Sequence, residues 1–134
     1  MASIFTKIIN GEIPSYKIAE NEEFYAFLDI SPLSVGHTLV VPKSEVDYIF
    51  DVEDELLGKM MVFSKKIAKS IELVVSCNRV GIAVIGLEVP HAHIHLIPIN
   101  GMDDMNFANE KLKLTPEEFK EVAENISVTF NSLT

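Results

Sequence analysis

The feature that most restricts this chain is a row of three histidines at strict two-residue intervals, His91, His93 and His95. They are three of only four histidines in the chain, and the residues between them, Ala92 and Ile94, are apolar. Successive side chains of a β-strand point to opposite faces, whereas a helix would scatter this spacing around its axis. The row therefore predicts a strand with one face on a core and an imidazole face lining a site.

Three chemistries remain open for such an imidazole face. Two histidines at this spacing can bind one zinc ion if further ligands come from elsewhere, and His37 is the only other histidine available. An imidazole can also act as a general acid or base near neutral pH. Finally, a neutral ring nitrogen can attack an electrophile such as phosphorus. The spacing alone does not decide between them.

The composition of the chain limits its domain organisation, its partners and its cellular compartment. With 134 residues, 48% of them hydrophobic, the chain is expected to form one domain over residues 1–134 with a full core. A net charge of −9 argues against a nucleic-acid binder, which needs a broad basic field. The single Cys77 fits a reducing compartment, and no apolar run reaches the roughly 18 residues that span a membrane. We expect a cytoplasmic protein without membrane contact.

The pattern along the chain predicts an α+β domain. Short β-branched runs at residues 16–20, 24–29, 37–41 and 79–85 read as strands beside the histidine strand. Apolar residues at helical spacing indicate a short N-terminal helix capped by Ser3, a long helix around residues 56–71, and a C-terminal helix capped by Thr115. Residues 100–113, between the histidine strand and the C-terminal helix, are polar and irregular, and Met102, Met105 and Phe107 are expected to anchor this segment to the domain.

Four segments together resemble the histidine-triad (HIT) family of nucleotide hydrolases and transferases, in particular its Hint-like phosphoramidase branch. The first is the alternating histidine segment, 91–97; the others are 3–14 (SIFTKIINGEIP), 27–32 (FLDISP) and 36–43 (GHTLVVPK). The likeness covers about residues 3–99 and leaves 100–134 as a C-terminal extension. It implies a five-stranded, mainly antiparallel sheet with helices, and a homodimer.

The resemblance also implies a reaction and a site. The substrate would be a nucleotide derivative of AMP or GMP, hydrolysed through a covalent nucleotidyl-histidine. His93 would be the nucleophile, His95 would contact the α-phosphate or the leaving group, and His91 and His37 would orient His93. Asp29 would accept the ribose hydroxyls. The apolar base pocket would be formed by Phe5, Ile8, Phe27 and Ile30. The alternatives are a dinucleoside polyphosphate hydrolase and a non-catalytic nucleotide-binding or scaffold dimer.

Two departures from the family pattern refine these expectations. Many relatives hold a zinc ion with two cysteines and a further histidine, at positions that are Ser3, Thr6 and Glu45 here. Soft ligands are missing, so no metal and no cofactor are expected. In the phosphate loop, Gly86 is retained, but Leu87 and Glu88 replace a polar pair. A carboxylate there would repel phosphate, which predicts an enzyme that is weaker, slower or differently selective.

Overall fold

The computed structural model describes residues 2–133, and the elements it contains form one five-stranded sheet with three helices. The helices are α1 (Ile4–Ile9), α2 (Asp54–Val74) and α3 (Pro116–Ser132). The strands are β1 (Lys17–Glu20), β2 (Phe24–Leu28), β3 (Thr38–Pro42), β4 (Arg79–Ala83) and β5 (Ile94–Ile99). All neighbouring strands are antiparallel, in the order β1-β2-β3-β5-β4. The predicted α+β fold is confirmed.

The sheet is covered on both faces, and strand alternation divides the side chains between them. In β2, Phe24, Ala26 and Leu28 belong to a core shared with α2 and α3. Tyr25 and Phe27 face the other way, into a smaller core closed by α1. Every residue of β2 is therefore buried. The same alternation makes the α1 side of the sheet the side on which the site is built.

The histidine row obeys this alternation but is not all strand. Ile94 and Leu96 pack in the α2–α3 core, while His95 pairs in register with Leu39, a residue of the α1 core. The prediction of a strand through all three histidines was wrong at its start, because β5 begins at Ile94. Upstream, the Ala92 N–H binds the Val46 carbonyl instead of a sheet neighbour. His91 and His93 thus lie on the extended segment that leads into β5.

The predicted helix caps are present at both ends of the chain. The Ser3 hydroxyl accepts from the Thr6 N–H at the start of α1. Thr115 and Glu118 form a reciprocal capping box at the start of α3. Such caps satisfy N–H groups that the helix itself leaves free. Within residues 2–133, no helix combines the length and the apolar character that crossing a membrane requires.

Candidate active site

A cavity of about 370 Å³ opens on the α1 side of the sheet, where four separate parts of the chain meet. A larger groove, about 900 Å³, lies between residues 13–17 and α3, away from the histidines. We place the site in the smaller cavity because the groups with shifted pKa values converge there. The cavity is lined by Ile4, Phe5, Asp29, Ser31, His37, Leu39, Ile85, Gly86, Leu87, Glu88, Val89, His93, His95, Phe107 and Lys111.

His37 and His95 form a directional pair at the base of this cavity. The Leu33 N–H donates to His37 Nδ1 at 3.0 Å, so a neutral His37 carries its proton on Nε2. That Nε2 lies 3.0 Å from His95 Nδ1, which must then accept. The proton of His95 is therefore on Nε2, which leaves this ring as a hydrogen-bond donor toward a ligand.

His93 has the opposite tautomer. Its Nδ1 lies 2.8 Å from the His91 carbonyl, and because a carbonyl can only accept, Nδ1 carries the proton. Nε2 of His93 therefore keeps an unshared electron pair. The ring is held edge-to-face between Phe5 and His95, with centroids 5.0 and 4.9 Å away. The site thus places a fixed nucleophilic nitrogen beside a fixed donor.

The first histidine of the row, His91, does not line the cavity. It is fully buried behind His93, with Nε2 donating to the Pro42 carbonyl at 2.8 Å. Its Nδ1 therefore accepts, and the Ser3 hydroxyl stands 2.7 Å away to donate. His91 thus contacts His93 through its backbone carbonyl, while its own ring is held by α1 and β3.

Burial keeps the cavity histidines neutral. Desolvation lowers the pKa of His37 to about 3, and repulsion from a protonated His95 and from Lys111 adds to this effect. Desolvation lowers the pKa of His95 to about 4, and repulsion from a protonated His93 adds to it. Desolvation also lowers the pKa of His93, against the hydrogen bond to the His91 carbonyl, which raises it. At neutral pH these three rings are therefore uncharged, as the assigned donors and acceptors require.

Acidic and basic groups surround the ring pair. Asp29 Oδ1 accepts from the Ser31 N–H at 2.8 Å, and burial raises the pKa of its carboxyl. Glu88, exposed at the cavity mouth, adds to that rise, and Lys111 opposes it. Asp29 Oδ2 lies 3.6 Å from His37 Nε2, which is neither a hydrogen bond nor, with a neutral ring, an ion pair. One carboxylate oxygen is thus left free for a ligand.

Metal binding fits this arrangement poorly. Asp29, His37 and His95 offer ligand atoms within 4.8 Å of one another. However, a ligating His37 Nε2 would have to give up its proton, while Nδ1 already accepts from Leu33. At the three positions compared above with the zinc ligands of relatives, Ser3 and Thr6 offer only neutral hydroxyls, and Glu45 Oε1 already accepts from both residues. Ser3 and His91 are also joined directly at 2.7 Å. The donor directions therefore favour imidazole chemistry without a metal.

The structure brings most of the predicted site residues together. His93, His95, His37, Asp29, Phe5 and Gly86 all line the cavity. Ile8 and Phe27, predicted for the base pocket, are buried in the α1 core behind Phe5. Ile30 is 71% exposed and lines the larger groove instead.

Two cavity residues come from the C-terminal extension and were not predicted as site residues. Phe107 packs edge-on against His95 with centroids 4.9 Å apart, and Lys111 completes the wall. The Lys111 ammonium binds the Phe107 and Asn109 carbonyls, which closes this loop. The sequence predicted that Phe107 anchors this segment, but it did not predict that the ring contacts His95. Met102, another expected anchor, is exposed. Nothing in the sequence pattern marks Lys111 as a cavity residue.

Comparison with known proteins finds relatives over most of the chain. The family profile described as the HIT domain matches residues 10–102. An uncharacterized HIT-like protein of Borreliella burgdorferi is 40% identical, over 93% of this chain and 96% of its own. The adenosine 5′-monophosphoramidase hnt1 of Schizosaccharomyces pombe is 34% identical, over 95% of this chain and 97% of its own. A crystal structure of a Hit-like protein from Bartonella henselae superposes with a TM-score of 0.81 at 30% identity, covering 95% of both chains.

Proposed function

The chain belongs to the HIT domain family of nucleotide-binding hydrolases, and on that premise we propose that it hydrolyses nucleoside 5′-phosphoramidates through His93. The observation that carries the proposal is the pair of opposite tautomers. His93 presents an electron pair on Nε2, and His95 presents an N–H donor beside it. A nucleophile next to a donor suits attack on phosphorus that bears negatively charged oxygens.

In the first half of the reaction, His93 Nε2 forms a bond to the α-phosphorus as the phosphorus–nitrogen bond of the substrate breaks. The bonding electrons leave with the amine, which takes one proton from solvent. The ring of His93 becomes positively charged, and its Nδ1–H bond to the His91 carbonyl, 2.8 Å long, stabilises that charge. His95 Nε2–H binds a phosphate oxygen during the same step.

In the second half, water attacks the same phosphorus. The new phosphorus–oxygen bond forms as the bond to Nε2 breaks, the water proton passes to solvent, and the nitrogen recovers its electron pair. Because burial lowers the pKa of His93, the freed ring stays neutral at pH 7 and is ready for another turnover. No group beyond the chain and water is needed to balance either step.

The remaining cavity residues suit a nucleoside. Asp29 has one carboxylate oxygen free, which can accept from a ribose hydroxyl. Phe5 offers an apolar surface next to His93. Ile8 and Phe27 support Phe5 from the core behind it. We therefore propose that Asp29 binds the ribose and that Phe5 contacts the base, with AMP and GMP derivatives as the substrate class.

Glu88 favours substrates with a single phosphate. Its carboxylate lies at the cavity mouth, where it acts on both Asp29 and His93. A dinucleoside polyphosphate would bring several negative charges toward the same carboxylate, in a chain that is already at −9. Glu88 is also the observation that favours the second candidate, a nucleotide-binding protein without catalysis, because repulsion would weaken phosphate placement.

The test is intact-mass measurement after rapid mixing with adenosine 5′-phosphoramidate. The wild-type protein is expected to gain one adenylyl group transiently and to release AMP. His93→Asn removes the nucleophile with a similar polar volume, so it is expected to form no adduct while still binding AMP by calorimetry. Thr115→Ala, far from the cavity, is the matched control and is expected to react as the wild type does.

The second candidate predicts a different outcome. If neither adduct nor turnover is seen with purine and pyrimidine phosphoramidates, while AMP still binds, the protein is a nucleotide binder and not an enzyme. An adduct that persists in His93→Asn would place the nucleophile at another residue.

We further propose a cytoplasmic homodimer. β4 is an edge strand that pairs only with β5 among the described residues, and it exposes Ile82. An exposed strand edge with an apolar side chain is a natural site for pairing with a second sheet. The lone Cys77 is the support for a reducing compartment.

A further inference from the structure

The start of α1 is tied to the segment that follows β3 by a cluster of short hydrogen bonds. Glu45 Oε1 accepts from the Ser3 N–H at 2.5 Å and from the Thr6 hydroxyl at 2.7 Å. The Ser3 hydroxyl accepts from the Thr6 N–H at 3.1 Å. Glu45 is exposed and 39 to 42 residues away in sequence, so the cluster is a tertiary contact and not a local turn.

The same cluster reaches the histidine row through one atom. The Ser3 oxygen accepts from the Thr6 N–H, and its single hydrogen has two acceptors within reach, His91 Nδ1 at 2.7 Å and the Thr6 hydroxyl at 3.3 Å. We assign the hydrogen to His91 Nδ1 because that contact is much the shorter. The other ring nitrogen of His91 donates to the Pro42 carbonyl. The carbonyl of His91 in turn accepts from His93 Nδ1. Glu45, Ser3, His91 and His93 therefore form a continuous chain of contacts.

We infer that Ser3 and Glu45 are positioning residues, which fix the ring of His91 and, through its backbone carbonyl, the reactive tautomer of His93. This inference rests on the proposed function of His93. Neither residue touches the cavity. Their role is to keep Nε2 of His93 unprotonated and correctly aimed.

The direction of each bond explains why both residues are needed. Without the Ser3 hydroxyl, His91 Nδ1 is a buried acceptor with no partner, which is costly. The ring can relieve that cost by shifting, and the shift moves the carbonyl that holds His93. Glu45 holds the Ser3 backbone in place, and the bond from the Ser3 N–H lowers the pKa of its carboxyl to about 2, so it remains an acceptor at all working pH values.

The experiment compares Ser3→Ala with Ser3→Thr, Glu45→Ala and the control Thr115→Ala. Ser3→Thr keeps the hydroxyl. Thr115→Ala removes a helix cap of the same kind, whose Oγ1 accepts an N–H at 3.1 Å without any histidine nearby. Two readouts are taken on each full-length protein. Long-range proton–nitrogen NMR of the imidazole rings shows which nitrogen of His91 and His93 carries the proton, and steady-state kinetics with adenosine 5′-phosphoramidate gives kcat and KM.

Wild type, Ser3→Thr and Thr115→Ala are expected to show His91 protonated on Nε2 and His93 on Nδ1. Ser3→Ala and Glu45→Ala are expected to mix the tautomers and to lower kcat about 3- to 10-fold, the worth of one hydrogen bond, with KM nearly unchanged. Unaltered tautomers in Ser3→Ala, or an equal fall of kcat in Thr115→Ala, would overturn the inference.

The two proposals fail in different ways. If the wild type shows no turnover, but the tautomers of His91 and His93 still change in Ser3→Ala, the positioning role stands and the proposed reaction does not. If the wild type turns over and Ser3→Ala equals it in both readouts, the reaction stands and the positioning role does not. Ser3→Thr guards against loss of folding, because it differs from wild type by one methyl group.

Discussion

At the scale of single residues, the site depends on where one proton sits in each ring. A neutral imidazole has one donor and one acceptor nitrogen, so each backbone contact to one nitrogen determines the role of the other. The Leu33 N–H makes His95 a donor through His37, and the His91 carbonyl leaves His93 Nε2 with the electron pair that the proposed attack on phosphorus needs. Three identical side chains in the row thus have three different tasks because their backbone partners differ.

Keeping His37 neutral makes the folded state sensitive to acid. In the unfolded chain its pKa is near 6.5, whereas burial lowers it to about 3 in the folded chain. The unfolded state therefore binds more protons between these values, so stability is full above pH 6.5 and is lost as the pH falls. We expect the free energy of unfolding to fall about 1 kcal/mol more per pH unit in wild type than in His37→Gln.

Urea denaturation in steps of one pH unit from about 7.5 to 4.5 measures this difference. Asp29 and His95 face His37 and titrate too, and Lys111 acts on it through its charge, but all three residues are present in both proteins. Asp29 acts in the opposite sense, because its pKa is raised by burial and its folded form takes up a proton first. Parallel pH curves for the two proteins would show that His37 is protonated equally in both states.

At the scale of elements, the loop before β3 decides whether the rings can meet. Gly36 has a φ of +93° and immediately precedes His37. A Cβ at this position would stand 2.9 Å from Val75 Cγ2 and 3.3 Å from Pro98 Cγ. Both the backbone angle and the space therefore require glycine. This turn brings the segment after Asp29 back onto the sheet, so that His37 reaches His95.

Alanine substitutions at two glycines, one in the turn and one in α2, test whether the turn specifically requires glycine. Gly36→Ala is expected to cost about 2 kcal/mol or more, from strain and overlap together. Gly58→Ala, within α2, meets nothing within 4 Å and is expected to stabilise by about 0.5–1 kcal/mol, because alanine favours a helix. Thermal unfolding of both variants gives the comparison. Equal effects would mean that the tight turn is not required.

Some features of these elements were predictable from the sequence, and others were not. Caps at Ser3 and Thr115 and the two-sided burial around the histidines follow from local chemistry, and these were predictable. The start of β5 was not, because an extended chain alternates its side chains whether or not it has a sheet partner. The bond from Ser3 to His91 spans 88 residues, and the contact of Phe107 with His95 depends on how a loop folds back. Neither leaves a periodic signal.

At the scale of the whole molecule, the proposed binding of an anionic nucleotide has to occur in the small cavity of an acidic protein. The net charge of −9 repels nucleotides at long range, and Glu88 does so at the cavity mouth. Lys111, held by two carbonyls of the C-terminal extension, brings a positive charge back to the wall. The extension therefore contributes to the wall of the candidate site, although the family match ends at residue 102.

The edge strand gives the prediction that concerns assembly. Ile82 in β4 is 46% exposed at the free edge of the sheet, and pairing of two such edges would bury it. We expect Ile82→Lys to place like charges against each other across the paired edges and to shift wild-type dimers to monomers in sedimentation equilibrium. Val128→Lys, on an exposed face of α3, adds the same charge away from that edge and is expected to remain dimeric. A monomeric wild type, or dissociation caused by Val128→Lys alone, would show that copies of this chain do not associate through β4.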